Sequence, residues 1–184
     1  MTSPTLSTER LRLRLIKLSD LNSIHALHSI TAIDEFNTLG IPNSIQETTA
    51  IVENWIAESI DTEPTSFTFA IEQSTPNAFV GLIALKIGSS KFKNGEVWYK
   101  LHPNYWGKGY ATESLSSVLD FGFNNRSLHR IEAGCAVDNI GSIKVLEKVG
   151  MTREGRKRLV LPLKTGWSDN FEYAILETDE RIKS

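Results

Sequence analysis

Two glycines in the run Trp106-Gly107-Lys108-Gly109-Tyr110-Ala111-Thr112-Glu113 stand where an apolar strand is expected to end and a helix to begin. Glycine lacks Cβ, so such a turn reaches positive φ and brings backbone N–H groups close to a ligand. The first helical turn behind it offers N–H groups without intrahelical partners and the positive end of the helix dipole. That chemistry suits a phosphate or pyrophosphate. The run is neither a dinucleotide fingerprint, for which a third glycine is missing, nor a Walker A loop, because Gly109 stands where Lys108 would need Ser or Thr after it. An ordinary strand-to-helix turn has the same local spelling.

Other reactive side chains are sparser. His25 and His28 are three apart on an expected helix, but no cysteine or carboxylate pattern accompanies them, so no metal site is expected. Cys135, the single cysteine, lies between Gly134 and Ala136 on an expected strand and reads as a small buried residue. Trp55, Trp98, Trp106 and Trp167 read as core or cleft-wall residues.

The elements that must position these residues fit one domain over residues 1–184, large enough to close a core without disulfides. With 20 basic and 22 acidic residues, the chain has no polyanion-binding footprint, so no direct nucleic-acid partner is expected. The opening Met1-Thr2-Ser3-Pro4 has no apolar signal region, and the apolar run 79–85 is too short to span a bilayer. A soluble, cytoplasmic protein without membrane contact is therefore expected.

Leu11, Leu13 and Leu15 alternate with Arg10, Arg12 and Arg14, the period of a strand with one buried face, and the arginines read as its solvated face. Ser19-Asp20 can cap a helix bearing Leu21, Ile24 and Leu27; Ser44 and Glu47 have capping-box spacing before Val52, Trp55, Ile56 and Ile60. Segments 67–72, 79–87 and 96–101 read as consecutive antiparallel strands, separated by the turn 74–77 and the loop 88–95. Leu115, Val118, Leu119, Gly122 and Phe123 share a helical face after the glycine loop. A strand at 130–137, a helix with Ile143, Leu146 and Val149 ended by Gly150, and strands at 158–163 and 171–177 follow. The pattern is α/β: a single mixed, mostly antiparallel sheet with helices on both faces.

Two further clusters are in register with the glycine loop. The run Asn139-Ile140-Gly141-Ser142-Ile143-Lys144-Val145-Leu146-Glu147-Lys148-Val149-Gly150-Met151 resembles the second signature of the GCN5-related N-acetyltransferases (GNAT), and 106–113 resembles their acetyl-CoA pyrophosphate loop. Thr8-Glu9-Arg10-Leu11-Arg12-Leu13-Arg14 and Arg153-Glu154-Gly155 resemble the RimJ/RimL branch, named for N-terminal acetylation of ribosomal proteins. The resemblance covers nearly the whole chain and implies the acyl-CoA N-acyltransferase fold, with acetyl-CoA as cosubstrate and no metal.

It also implies a division of labour. Backbone N–H groups of Tyr99, Lys100 and Leu101 would face the pantetheine and the thioester carbonyl, and Gly107, Lys108, Gly109, Tyr110, Ala111 and Thr112 would hold the pyrophosphate. Asn139 and Ser142 would touch the pantetheine from across a wedge between strands 96–101 and 130–137, or simply cap the following helix. Lys148 would reach the nucleotide end or complement its own helix C-terminus.

A primary amine must lose a proton to attack a thioester. Glu96, at the head of the strand before the loop, is the expected base, with a solvated hairpin-end carboxylate as the alternative. The tyrosine that many relatives use as acid in the second signature is here Leu146; Ser142 is the nearest replacement, and a thiolate can also leave without an acid. The acceptor is expected against the first two helices, the 88–95 hairpin and the loop 163–170, where Asp34, Glu35 and Asp169 could attract an amine. A protein N-terminus leads the expectation, with a polyamine, an amino acid or an aminoglycoside as alternatives. A silent acyl-CoA-binding module and an ATP-binding protein are the other classes, and a homodimer is left open.

Overall fold

A computed structural model describes residues 3–75 and 77–181. Met1, Thr2 and Pro76, which entered the readings of the opening residues and the 74–77 turn, lie outside the described residues.

The sheet has eight strands: β1 (Thr5–Ser7), β2 (Leu11–Leu15), β3 (Ser66–Gln73), β4 (Phe79–Ile87), β5 (Asn94–Leu101), β6 (Arg130–Ala136), β7 (Thr152–Leu163) and β8 (Gly166–Leu176), in the spatial order β1-β2-β3-β4-β5-β6-β8-β7. Every neighbouring pair is antiparallel except β5 and β6.

Strand alternation sends residues to two apolar layers. On one face α1 (Leu21–His28) and α3 (Ile45–Ile60), with the short α2 (Thr31–Asp34) between them, bury Ile24, Leu27 and Val52 against Ala70 and Leu82. On the other, α4 (Tyr110–Asp120) and α5 (Ile140–Lys148) bury Leu115, Val118, Leu119, Leu146 and Val149 against Phe69, Ile83, Val97 and Ile131. Ser44 caps α3 by accepting from the Glu47 N–H at 3.4 Å, while the Glu47 carboxylate accepts from the Asn43 N–H at 2.8 Å. Gly150 follows α5 at φ 92°, the left-handed stop its sequence predicts.

The arginine row is not simply solvated. Arg12 is exposed, but Arg14 bridges Asp20 at 2.8 Å and Glu72 at 2.6 Å, and Arg10 bridges Glu113 at 2.6 Å. The strand expected at 158–163 begins earlier, at Thr152, and carries a register shift between Lys157 and Leu161.

The feature that positions a site is the β5–β6 pair. Its parallel ladder runs only through Asn94↔Arg130, Gly95↔Ile131 and Glu96↔Glu132. On their outer edges, β4 stays paired with β5 to Gly81↔Leu101, and β8 stays paired with β6 to Ala136↔Asn170. From Val97 and Ala133 onward, the facing edges of β5 and β6 therefore have no strand partner, and the sheet opens as a wedge with Glu96 at its closed end.

Candidate active site

At the open end of the wedge β5 runs into the glycine loop. Gly107 and Gly109 sit at φ 70° and 80°, and Gly109 is the N-cap of α4 with no side-chain cap. The first intrahelical bond is Glu113 N–H to Gly109 O at 3.0 Å, which leaves the N–H groups of Tyr110, Ala111 and Thr112 without helical acceptors. A Cβ at Gly107 would meet nothing within 4 Å, so its φ, rather than crowding, calls for glycine. An uncapped helix start behind two left-handed glycines fits the pyrophosphate of acetyl-CoA.

The loop is braced from β2's side of the sheet. Glu113, buried in the first turn of α4, accepts from the Thr8 hydroxyl at 2.5 Å, the Arg10 N–H at 3.0 Å and Arg10 Nε at 2.7 Å. Burial pushes its carboxyl upward, but these donors outweigh burial and hold it below the ordinary range. Arg10 also donates to the Lys108 carbonyl at 3.1 Å and lies over the Tyr110 ring at 4.7 Å. The Lys108 ammonium lies over the Tyr105 ring at 5.5 Å. Trp106, half exposed, donates from Nε1 to the Leu101 carbonyl at 2.7 Å, tying the loop to the last residue of β5.

Inside the wedge, Tyr99 from β5 meets Ser142 from α5, with hydroxyl oxygens 2.8 Å apart. The Asn139 side chain caps α5 by accepting from the Ser142 N–H at 3.0 Å, so Asn139 and Ser142 both serve their helix and stand on the wedge wall. Burial pushes the Tyr99 hydroxyl pKa upward against the opposing hydrogen bond from Ser142, so Tyr99 stays protonated. Cys135 is buried beside Ser142, and burial pushes its thiol up to about 11, which keeps it a thiol at neutral pH. Leu146, at the position of the relatives' tyrosine, is 1% exposed in the core. Lys148 is exposed in the last turn of α5.

Glu96 is exposed on the opposite face, in register with Glu132. The carboxylates around it are engaged: Glu132 and Glu154 with Arg130, and Glu172 with Lys157. Glu96 has no ion pair among the described residues.

On the same face, Trp98 and Lys100 point toward α1 and α3. A cleft of about 460 Å³ lies between Glu35 and Phe36, the Val137–Asp138 turn, and the β7–β8 hairpin at Leu163 and Trp167. The 88–95 hairpin does not line it. Asp169, expected to attract an amine, is held by Arg156 at 2.6 Å and by the Leu159 N–H at 2.8 Å, so it braces the hairpin bulge instead. Trp167, though 65% exposed, lines this cleft as a wall residue; Trp106 is half exposed on the glycine loop, and Trp55 and Trp98 pack in the layer against α1 and α3 with ring centroids 5.2 Å apart. His25 Nδ1 pairs with the Thr48 hydroxyl at 2.8 Å.

Sequence reasoning missed the Arg10–Glu113 brace and the Tyr99–Ser142 contact. Both join residues far apart in the chain, and neither has a local pattern.

The family model for the acetyltransferase (GNAT) domain matches residues 10–152. The chain is 43% identical to the uncharacterized N-acetyltransferase YnaD of Bacillus subtilis, over 46% of this chain and 49% of that protein. It is 30% identical to the uncharacterized N-acetyltransferase YoaA of B. subtilis, over 83% of this chain and 85% of that protein. Among solved structures, a GNAT-family acetyltransferase from Bacillus anthracis has a TM-score of 0.83 at 28% identity, covering 96% of this chain and 100% of that one. Two others share the fold at TM-score 0.83. The ribosomal-protein-S5-alanine acetyltransferase from Vibrio fischeri is 22% identical, covering 96% of this chain and 98% of that one. The Vibrio cholerae spermidine N-acetyltransferase, solved with CoA and spermine, is 23% identical, covering 93% and 98%. With the family model spanning most of the chain over this wedge and glycine loop, the protein belongs to the GNAT acetyltransferase family and is an acetyl-CoA-dependent N-acetyltransferase.

Proposed function

We propose that the chain acetylates a primary amine that enters on the α1–α3 face of the wedge, with a protein N-terminus as the leading acceptor class. The observation that carries this reading is the opening of β5 from β6 immediately after Glu96↔Glu132. It leaves the N–H groups of Val97, Tyr99 and Leu101, which point away from β4, available to an extended thioester arm, whereas the Lys100 N–H, expected to share this role, faces β4; it also sets one carboxylate without an ion pair among the described residues at the closed end. The protein-N-terminus class draws on the RimJ/RimL-like runs at 8–14 and 153–155 and on the shared fold of the V. fischeri enzyme. The alternative, a small amine such as a polyamine, draws on the fold of the spermidine enzyme.

In this account the N–H groups of Gly107 to Thr112 hold the pyrophosphate, and those of Tyr99 and Leu101 orient the arm and stabilise the oxyanion of the tetrahedral intermediate. Acetyl-CoA supplies the activated acyl group. Glu96 removes the proton of the attacking amine, directly or through water. The Tyr99 and Ser142 hydroxyls are 2.8 Å apart and either can donate; with Tyr99 donating, the Ser142 hydroxyl is free to donate to the departing thiolate. Asn139 and Lys148 border the cosubstrate, the first through the α5 cap.

The test is calorimetric titration with acetyl-CoA followed by a CoA-release screen over N-terminal peptides, polyamines and aminoglycosides. Micromolar-range binding with amine-dependent CoA release is expected. Binding without release across the panel would favour the silent module, and no binding by the folded protein would overturn the reading.

A further inference from the structure

The glycine loop contains one peptide that its own residues leave free to turn. A trans peptide plane sends the Lys108 carbonyl and the Gly109 N–H in opposite directions, so fixing one fixes the other. Turning the plane over would change the sign of φ at Gly109, which stands at 80°, and glycine accepts either sign. Among the described residues neither the Lys108 carbonyl nor the Gly109 N–H makes a backbone hydrogen bond.

The group that reaches this peptide comes from the other end of the chain. Arg10 Nη1 donates to the Lys108 carbonyl at 3.1 Å, and a Cβ built on Gly109 would meet one atom within 4 Å among the described residues, Arg10 Nη2 at 3.4 Å. Arg10 is itself held. Its Nε and Nη2 lie 2.7 and 2.6 Å from one oxygen of Glu113, its backbone N–H donates to the other at 3.0 Å, and its guanidinium lies 4.7 Å from the centre of the Tyr110 ring. Tyr110 and Glu113 belong to the first turn of α4. A planar guanidinium serves a carboxylate on one edge and a carbonyl on another in a single rotamer, which the compact ammonium of a lysine does not.

We infer that Arg10 is a positioning residue for the cosubstrate: it locks the Lys108–Gly109 peptide with the Gly109 N–H turned toward the pyrophosphate, so that the anion cradle is formed before acetyl-CoA arrives. Ordering the loop in advance lowers the cost of association, and Arg10 acts through the backbone rather than on the reacting atoms. The inference rests on the proposed pyrophosphate role of the loop and adds the residue that sets its conformation.

The experiment is titration calorimetry of the full chain with two ligands, acetyl-CoA and S-acetylpantetheine, which keeps the thioester arm and lacks the pyrophosphate. Wild type is compared with Arg10→Met, with Arg10→Lys and with Arg14→Met. Arg14 is the structural control, since it also bridges buried carboxylates, Asp20 and Glu72, but from within β2 and away from the loop. Loss of a charge-assisted hydrogen bond and of the order that it imposes predicts acetyl-CoA affinity about tenfold lower in Arg10→Met, with S-acetylpantetheine affinity unchanged. Arg10→Lys, which keeps a cation for Glu113 without the fork, shows the same selective loss. Arg14→Met lowers stability to urea and leaves both affinities unchanged. Acetyl-CoA affinity within about twofold of wild type in Arg10→Met, or in Arg10→Lys should Arg10→Met not fold, overturns the inference. So does an equal loss for both ligands, or a loss in Arg14→Met as large as that in Arg10→Met, because either marks a merely structural role. A wild type that does not bind acetyl-CoA would instead count against the pyrophosphate role of the loop, a failure distinct from one confined to the variants.

Discussion

The side chains divide into those that the fold satisfies and those that it leaves free. Glu96 stands among carboxylates already held by Arg130 and Lys157, which makes it the one on that part of the sheet without an ion pair among the described residues. For Glu96 as the proposed base, the expected outcome of Glu96→Gln is a kcat lower by about 10²–10⁴-fold at neutral pH with acetyl-CoA affinity intact in calorimetry; undiminished turnover would remove it from the mechanism. Ser142→Ala has a smaller expected effect, about tenfold in kcat, because a thiolate leaves tolerably without a proton donor.

At the scale of elements, the proposed grip on acetyl-CoA lies in the turn between β5 and α4 and its brace. Gly109→Val places a β-branched residue at φ 80°, a strain of about 1–3 kcal/mol, and weakens acetyl-CoA binding by roughly 10–100-fold in titration. Elements with strong local patterns were legible in sequence: the leucine alternation of β2, the Ser44 cap, the Gly150 stop and the antiparallel run β3-β4-β5. β1 and α2 were not, because three or four residues carry no periodicity. The first half of β7 was missed because Arg153-Glu154-Gly155-Arg156-Lys157 is charged on both faces and lies at the sheet edge, so no apolar row marks it. The glycine loop and the Asn139–Ser142 pair were readable as short motifs. The wedge itself, the Arg10–Glu113 brace and the Tyr99–Ser142 contact were not, since each depends on which distant strands and helices become neighbours.

For the whole molecule, acid stability follows from the buried carboxylates that join its layers. Burial raises the pKa of Asp20 and Glu113, but Arg14 and the Lys17 N–H for the first, and Thr8 and Arg10 for the second, more than reverse this and leave both below the ordinary value. Their contribution is therefore complete above the unfolded-state pKa of about 4 and is lost as pH falls through the depressed folded-state values. Urea unfolding at pH 7, 5 and 3 should show stability falling mainly between the last two, and Glu113→Gln should flatten that fall. The same Glu113 contacts tie the Thr8–Arg10 turn to the first turn of α4, so the fold's stability and the proposed grip on the pyrophosphate share residues. The most direct test of acetyl transfer through the wedge is CoA release from acetyl-CoA measured against a panel of primary amines. Release that requires both the protein and a particular amine, with mass spectrometry placing one acetyl group on that amine, is the predicted result. Acetyl-CoA that binds tightly yet yields no CoA with any amine would contradict it.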